Sequence, residues 1–329
     1  MPKVSVCVPV YNVEKYIEKC VRSLFEQTLE DIEYIFVDDC SQDQSLNILH
    51  RVLTEYPQRQ NSVKIVRHKC NLNVSAAHQT AINIASGEYV IMCDSDDWVE
   101  PDMYETLYRA AVSNHADIAY CDLMFVVDNN VEQHVNQFDT SEGVEAVQKL
   151  LQTNVNTSLC IKLVRRSLYQ KAVSFSDIRP MYDDTVASIN LFYLAKSIIH
   201  VPEAYYHYIV HQESVCRTMD SSIMLRRADD IIHNSEKIIQ FIANMPSDDR
   251  TRLTSDLYGF LFKVKWTLLS WWTMDKNNLS RWRNLWPEIM ASLSNIQIPR
   301  WKKIVYRGMI SRWTAPVLQP LLSVYKKTR

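Results

Sequence analysis

Along the first 125 residues, short apolar runs alternate with segments whose apolar residues recur at helical spacing. The runs are rich in β-branched residues and cover residues 4–10, 34–37, 63–66, 89–93 and 118–120. Between the first two runs, apolar residues share one helix face at positions 13, 17, 20, 21 and 24. Strands that alternate with helices of this length predict βαβ units, and therefore an α/β fold with a mostly parallel sheet.

The second part of the chain has a different pattern. It predicts a helix near 141–153, a strand near 159–164, a helix that begins near Asp183 and a short strand pair near 198–209. From residue 220 onward the periodicity is helical almost throughout, and seven of the eight tryptophans lie there. We therefore predict a sheet-containing domain over residues 1–218 and a helical, tryptophan-rich extension over residues 219–329.

The composition is that of a soluble globular protein, and it excludes one kind of site. The 329 residues are 47% hydrophobic and 22% charged. Four glycines are too few, and too far apart, for a glycine-rich phosphate loop. The eight cysteines include no C-x-x-C pair, which favours a reducing, cytoplasmic compartment. We expect neither a secretory leader nor a membrane-spanning helix, because no apolar stretch is long enough.

Charge is distributed unevenly along the chain. The net charge is −2, but no acidic residue follows Glu288, whereas eight basic residues do. Beside these basic residues, apolar side chains recur at helical spacing: Trp301, Ile304, Val305, Met309 and Trp313. This pattern is typical of an amphipathic helix at an anionic membrane surface. The alternative is that the tryptophans pack onto the protein and the basic residues are a solvated face. No nucleic-acid partner is expected.

Polar side chains follow three of the predicted strands. Tyr11 and Asn12 follow the first strand, Asp38 and Asp39 end the second, and the sequence DSDD at residues 94–97 follows the fourth. In open parallel sheets, ligands bind beyond the carboxyl ends of the strands. We therefore expect these side chains to lie at one ligand-binding edge of the sheet.

The acidic residues at this edge have two interpretations each. The carboxylates of DSDD suit Mg²⁺ or Mn²⁺ bridging a diphosphate, because hard cations prefer oxygen ligands. The alternative is a solvated turn in which Asp97 caps a helix that begins at Pro101. Asp39 suits a hydrogen bond from a nucleobase or a ribose hydroxyl, with Tyr11 available to stack on the base. Alternatively, Ser41 or Asp43 serves only as a cap of the next helix.

Four stretches resemble the successive motifs of family 2 glycosyltransferases of the GT-A fold. They are VSVCVPVYN, FVDDCSQDQS, NLNVSAAHQTAINIASGEY and DSDDWVEPD, and they match in order and spacing over roughly the first 105 residues. The resemblance implies that residues 1–105 bind the nucleotide and residues 106–218 form the acceptor side. It also implies that Pro9 and Tyr11 flank the base, Asp39 accepts a hydrogen bond from it, Asp94 lies near the ribose and Asp96 binds the metal. Asn12, Asn73, His78 and Ser95 complete the predicted nucleotide site.

A weaker match continues to about residue 215, through the stretch that begins MYDDTVASIN. By this resemblance Asp184 is the general base that deprotonates the acceptor hydroxyl. A carboxylate at a helix N-terminus stays ionised, which fits that task. The alternative is that Asp183 and Asp184 only complement the helix dipole. His211 is a further predicted metal ligand or a phosphate donor, with a structural role as the alternative, and Asp183 and Ser214 are placed on the phosphate or acceptor side.

The chain departs from the family pattern at several positions. Cys40 and Asn73 stand where the family commonly has glycine, His78-Gln79 replaces Arg-Asn, Asp183 replaces Glu, and Ile209 replaces Arg. Lys162 and Arg165 are the predicted replacements for the missing positive charge. We therefore expect an intact nucleotide site and a modified phosphate and acceptor side.

The resemblance implies an inverting, metal-dependent glycosyltransferase of bacterial surface-polysaccharide synthesis, which uses a nucleotide-sugar, such as a UDP-sugar. The acceptor would be a hydroxyl of a glycan or a lipid-linked molecule at the inner face of the membrane. A haloacid-dehalogenase-type phosphatase lacks its nucleophile here. A sugar nucleotidyltransferase would need a glycine-rich basic loop where this chain has PVYNVEK. A catalytically impaired, nucleotide-sugar-binding scaffold stays open as the alternative.

Overall fold

The structure is a computed structural model that describes residues 1–127, 131–152, 156–210, 221–271 and 276–311. The predicted site residues His211 and Ser214 and the predicted interfacial residue Trp313 lie outside the described residues.

In the part of the chain that is described, nine strands form one sheet. The strands are β1 Val4–Val10, β2 Ile32–Asp38, β3 Val63–Arg67, β4 Tyr89–Met92, β5 Trp98–Val99, β6 Ile118–Val127, β7 Val131–Val135, β8 Lys162–Arg165 and β9 Ile198–Val210. Their order is β3-β2-β1-β4-β8-β6-β9-β5, with β7 paired to β6.

Helices lie between and after these strands. They are α1 Ile17–Phe25, α2 Ser45–Glu55, α3 Val74–Ile84, α4 Met103–Ser113, α5 Gly143–Gln152, α6 Arg166–Ala172, α7 Asp183–Leu194, α8 Ser221–Ala243, α9 Ser247–Trp271, α10 Lys276–Asn284, α11 Glu288–Ser292 and α12 Arg300–Ile310. Short 3₁₀ turns cover Pro57–Ser62, Leu159–Ile161 and Phe175–Asp177.

The first four strands form the parallel half of the sheet. β1 pairs in parallel with β2 and β4, and β2 pairs in parallel with β3. All seven residues of β2 are buried, because helices cover both faces of a parallel sheet. The α/β prediction is confirmed, and the carboxyl ends of β1, β2 and β4 meet at one edge.

The second half of the sheet is mixed. β8 runs antiparallel to β4 and β6, and β9 runs parallel to β6. The predicted short strand pair near 198–209 is wrong, because this segment is the single strand β9. The pairing of β9 shifts between Val201 and Ala204, so Pro202 and Glu203 fall in a bulge. A bulge accommodates a proline that cannot donate to the ladder.

The contacts divide the chain into two compact units. The first is residues 1–150 with 154–217, and the second is residues 151–153 with 218–329. In the second unit, α9 packs against α8, α10 and α11. Trp282 is fully buried there and donates from Nε1 to the Lys265 carbonyl at 2.7 Å. The assignment of residues 1–105 and 106–218 to nucleotide and acceptor stays a prediction.

The tryptophan-rich segment separates into buried and exposed parts. Trp282 and Trp286 are buried, whereas Trp301 is 46% and Ile304 is 67% exposed. Met309, which the sequence placed on the same face as these two, is fully buried. A search of the described residues finds no helix with the length and hydropathy needed to span a membrane.

Candidate active site

The edge predicted to bind the base is built around Asp39, which is almost fully buried. Its carboxylate accepts hydrogen bonds from the backbone N–H groups of Leu72 and Asn73, both at 2.8 Å, and lies 2.7 Å from His68 Nδ1. A carboxylate has about four acceptor positions. Asp39 therefore orients the 68–73 loop and retains one position for a base. Its neighbour Asp38 is fully buried and pairs with Arg67 at 3.0 Å.

Two predicted nucleotide-binding asparagines shape the loops of this edge. Asn12 follows β1 and accepts a hydrogen bond from the Gln42 N–H at 2.8 Å, which connects the loops after β1 and β2. Asn73 accepts from the Ala76 N–H at 3.2 Å and so caps α3. Tyr11 is 47% exposed, as a stacking surface requires, and Pro9 lies at the end of β1 opposite Val37.

Both positions where the family commonly has glycine have positive backbone φ angles. Cys40 has φ 68° and Asn73 has φ 80°. This region favours glycine, and a residue with a Cβ is strained there by about 1–2 kcal/mol. The departures from the family pattern therefore place non-glycine residues at positive φ and strain in the two loops around Asp39.

The carboxylates after β4 are crowded at the same edge. Asp94 and Asp96 are partly exposed, and Ser95 is buried between them. Desolvation, followed by the negative charges of Asp96 and Asp184, raises the pKa of Asp94 to about 7, against an opposing interaction with the Cys160 thiol. Asp94 and Asp184 are thus brought together by the fold from distant points in the sequence.

Asp97 does not cap the following helix, as one interpretation of the sequence expected. It is 1% exposed, and it accepts hydrogen bonds from the Tyr206 hydroxyl at 2.6 Å and the Ile209 N–H at 2.7 Å. The Tyr206 hydroxyl also accepts from the Asp94 N–H at 3.1 Å. Asp97 therefore fixes the DSDD loop to β9. Tyr206 is a site residue that the sequence did not reveal, because several tyrosines lie side by side in that strand.

Asp183 and Asp184 occupy the first turn of α7. Desolvation raises the pKa of Asp184 to about 6, while the Lys162 charge and the Leu159 backbone N–H act to lower it. The group is therefore mostly ionised at neutral pH and still basic enough to accept a proton. Asp183 is buried and lies 3.4 Å from the Ser75 hydroxyl.

His78 lies beside Asp183, inside the protein. Its Nδ1 is 3.8 Å from Asp183, its ring packs on Phe175, and only 4% of the residue is exposed. Desolvation lowers the pKa of His78 to about 4. The ring is therefore neutral at neutral pH, and it does not supply the positive charge of the arginine that the family has at this position.

The two basic residues predicted to replace that arginine have different environments. Arg165 does not lie beside the DSDD loop, contrary to the prediction that it replaces the missing arginine. Its guanidinium contacts Glu88 and Asp117 at 3.1 Å each, at the opposite end of β8 from that loop. Lys162, at the beginning of β8, is 1% exposed and donates to the Ser158 carbonyl at 2.5 Å. Burial lowers the pKa of Lys162 to about 8, and Asp184 opposes that shift.

The donor atoms of this edge fit a hard divalent cation, but incompletely. Asp94 and Asp96 offer oxygens, and after desolvation the negative charges of Asp96 and Asp184 contribute to the raised pKa of Asp94. No group of three potential ligands is found among the residues that the structure describes. Two carboxylates are an adequate protein share for Mg²⁺ or Mn²⁺ when the substrate phosphates supply further oxygens.

The family model "Glycosyl transferase family 2" matches residues 5–173, which is more than half of the chain. The chain belongs to this family. It is 31% identical to the putative glycosyltransferase EpsH of Bacillus subtilis over 224 residues, which are 65% of this chain and 62% of EpsH. The chain therefore spans less than two thirds of that relative's length.

Solved structures show the same fold. TarS 1–349 of S. aureus in complex with UDP-GlcNAc has a TM-score of 0.68 and 19% identity, over 99% of this chain and 87% of that one. A mannosyltransferase from Pyrobaculum calidifontis in complex with GDP-Man and Mn²⁺ has a TM-score of 0.58 and 15% identity, over 99% of this chain and 84% of that one. The GT-A-type fold predicted from the motifs is therefore confirmed.

Proposed function

We propose that this member of glycosyl transferase family 2 is an inverting, metal-dependent enzyme that transfers a sugar from a nucleotide-sugar to a hydroxyl of a glycan or lipid-linked acceptor. A UDP-sugar is the donor that we favour, and surface-polysaccharide synthesis is the process. The observation that carries the proposal is the juxtaposition of Asp94 and Asp96, on the donor side, with Asp184 at the N-terminus of α7.

The reaction follows from the roles of these residues. Asp184 accepts the proton of the acceptor hydroxyl, while the oxygen of that hydroxyl forms a bond to the anomeric carbon of the donor sugar. The bond from that carbon to the nucleoside diphosphate breaks on the opposite face, which inverts the configuration. Asp96 would hold Mn²⁺ or Mg²⁺, with Asp94 beside it near the ribose, and the metal would neutralise charge on the departing diphosphate. Asp39 and Tyr11 hold the nucleotide, with residues 1–105 as the donor side and residues 106–218 as the acceptor side.

Release of nucleoside diphosphate tests this proposal. A thermal-shift panel of nucleotide-sugars, with and without Mn²⁺, first identifies the donor, because stabilisation by a ligand increases with the logarithm of its concentration over its Kd. We expect wild type to hydrolyse that donor slowly and Asp184→Asn to lose about 10²–10⁴-fold in kcat. Asp31→Asn, an exposed carboxylate paired with Lys3, is the matched control and should retain activity. Donor binding without turnover by wild type would favour the scaffold alternative.

A second part of the proposal concerns α12. Arg300, Ile304 and Arg307 lie at positions i, i+4 and i+7, so they share one exposed face, with the exposed Trp301 beside it. A basic face with exposed apolar side chains suits anionic lipid heads. We propose that this face contacts the inner side of the cytoplasmic membrane, which would bring the enzyme to a lipid-linked acceptor.

Vesicle flotation tests the membrane contact. Wild type should bind vesicles of equal parts phosphatidylcholine and phosphatidylglycerol, and should not bind pure phosphatidylcholine. The double variant Arg300→Glu with Arg307→Glu should lose binding, whereas the matched variant Arg226→Glu, an exposed arginine of α8, should keep it. Equal binding by the double variant would contradict the assignment of this face.

A further inference from the structure

Asp39, the residue predicted to accept a hydrogen bond from the base, already receives three hydrogen bonds from the loop after β3. Its Oδ1 accepts from the Leu72 N–H at 2.8 Å and lies 2.7 Å from His68 Nδ1, and its Oδ2 accepts from the Asn73 N–H at 2.8 Å. A carboxylate oxygen has about two acceptor positions. Both positions of Oδ1 are therefore occupied, and the position that remains open belongs to Oδ2.

His68 is held from both sides of its ring. Nδ1 faces Asp39, and Nε2 lies 3.0 Å from the Thr80 hydroxyl on α3. A carboxylate oxygen only accepts, so Nδ1 carries a proton, and the Thr80 hydroxyl can partner Nε2 whether or not Nε2 is protonated. The side chains of His68 and Asp39 are 9% and 4% exposed. Water therefore has little access to this hydrogen bond, and the imidazole is a fixed donor to Oδ1.

The loop that carries the other two donors is also fixed. Asn73 has a φ angle of 80°, and its side chain accepts from the Ala76 N–H at 3.2 Å. The His68 N–H donates to the Asp38 carbonyl at 2.9 Å, which connects the start of the loop to the end of β2. The acceptor positions that this loop occupies on Asp39 are therefore closed before a ligand binds.

The bases of nucleotide-sugars differ in the number of N–H donors that they present to one carboxylate. Uracil presents one imide N–H between two carbonyl groups. Guanine presents a ring N–H and an amino group side by side, and these can donate together to the two oxygens of a carboxylate. A carboxylate with one open position satisfies the uracil N–H, but it satisfies only one of the two guanine donors. The other guanine donor loses its water without gaining a partner, which lowers affinity.

We propose that His68 determines the specificity for the base: by occupying Oδ1 of Asp39 it restricts the carboxylate to one N–H donor, and so selects uracil over guanine. The inference rests on the proposed function, because it assumes that Asp39 receives the base of the nucleotide-sugar. It adds the residue by which the site distinguishes two classes of donor. His68 acts through Asp39 and is therefore a positioning residue.

Isothermal titration calorimetry of the full-length protein with Mn²⁺ tests the inference with three nucleoside diphosphates. UDP and inosine diphosphate each present one N–H donor at this edge of the base, whereas GDP presents its amino group in addition. We expect wild type to bind UDP at least about tenfold more tightly than GDP, and GDP no more tightly than inosine diphosphate. Tighter binding of GDP than of inosine diphosphate by wild type would show that Asp39 accepts a second donor, and it would overturn the inference.

Substitution of His68 should open the second position. In His68→Ala we expect GDP to gain about tenfold over inosine diphosphate, because its amino group can donate to Oδ1, and the preference for UDP over GDP to fall by about the same factor. His68→Asn, whose amide N–H can donate to Oδ1, should keep the wild-type preference. His50→Ala, the same type of change at an exposed histidine of α2, is the matched control and should also keep it.

The outcomes separate this inference from the proposed function. Turnover of a nucleotide-sugar by wild type, together with an unchanged base preference in His68→Ala, overturns the role of His68 while the glycosyltransferase stands. Failure of wild type to bind any of the three diphosphates and to turn over any nucleotide-sugar overturns both. Thermal unfolding shows whether each variant folds. If His68→Ala does not fold, the comparison of GDP with inosine diphosphate in wild type decides the inference.

Discussion

Glu33 and the site carboxylates belong to the same sheet, yet their surroundings differ. Glu33, on β2, receives hydrogen bonds from the Ser5 hydroxyl at 2.5 Å, the Ser86 N–H at 2.6 Å and Lys64 Nζ at 2.7 Å. Although desolvation opposes it, these donors lower the pKa of Glu33 to about 2. At the site, desolvation and the charges of Asp96 and Asp184 raise the pKa of Asp94 to about 7, and desolvation raises the pKa of Asp184 to about 6.

The difference shows which carboxylates the fold uses for its own stability and which it leaves for a ligand. A buried carboxylate with a full set of donors holds the structure together. One with fewer donors has acceptor positions left for a cation or a substrate proton, and a raised pKa of this kind is typical of functional sites. Three experiments test this contrast, and a fourth tests backbone strain beside the site.

The largest expected difference is in catalysis. Asp96→Asn should lower kcat/KM by about 10²–10³-fold and abolish the effect of Mn²⁺ on donor binding, because a hard cation loses an anionic ligand. Glu33→Gln should retain kcat/KM within about twofold for each folded molecule. Steady-state kinetics with and without EDTA measure both. Equal losses in the two variants would mean that the contrast between the two sets of carboxylates is not functional.

The second difference is in stability. Glu33→Gln should lower the free energy of unfolding by about 2–3 kcal/mol, because an amide cannot accept from all of the buried donors. Asp184→Asn should leave it unchanged or raise it, because the variant removes a poorly solvated charge. Urea denaturation in EDTA gives both values. A loss of stability in Asp184→Asn comparable to that of Glu33→Gln would contradict the comparison.

The third difference is in the sign of the pH dependence. The folded pKa of Glu33 is depressed, so its stabilisation is present above the unfolded pKa of about 4.3 and is lost as the pH falls toward about 2. The folded pKa of Asp184 is raised, so its ionisation destabilises the fold as the pH rises from about 3.9 to about 6. The difference in free energy of unfolding between Asp184→Asn and wild type should therefore grow in favour of the variant as the pH rises over that interval. A gap that is constant with pH would mean that Asp184 is not perturbed.

The smallest effect concerns backbone strain near Asp39. Cys40→Gly should stabilise the fold by about 0.5–1 kcal/mol, because glycine relieves the positive φ and costs only part of that gain in entropy. Asn73→Gly should be close to neutral, since it also removes the cap of α3, which contributes about 1 kcal/mol. Thermal unfolding of the pair measures the difference. A destabilised Cys40→Gly would show that the thiol, rather than the φ angle, determines the residue at this position.

Much of the first, parallel half of the sheet is predictable from the sequence, because the patterns that specify it are local. The bounds of β1 agree with the apolar run at residues 4–10, and the acidic ends of β2 and β4 lie at the expected edge. Each of these features depends on strand periodicity and on the rule that parallel strands end together. Neither requires knowledge of a distant partner.

The second half was less predictable because strand direction depends on distant pairings. Lys162 and Arg165 look equivalent in the sequence, but an antiparallel β8 places them at opposite edges of the sheet. The sequence predicts a strand pair near 198–209, whereas the structure has the single strand β9. Its parallel partner, β6, lies about eighty residues earlier in the chain. For the same reason, the sequence does not predict the hydrogen bonds that connect Asp97 to β9. Pattern reading locates elements, but it does not supply their neighbours.

The attachment of Asp97 to β9 has a consequence for the order in which the protein is made. The DSDD loop is complete on the ribosome after residue 97, but the side chain and backbone groups that hold it, from Tyr206 and Ile209, are synthesised more than a hundred residues later. A nascent chain that ends near residue 105 therefore contains the nucleotide motifs without the strand that fixes them. The two halves of the sheet-containing unit therefore complete this loop together.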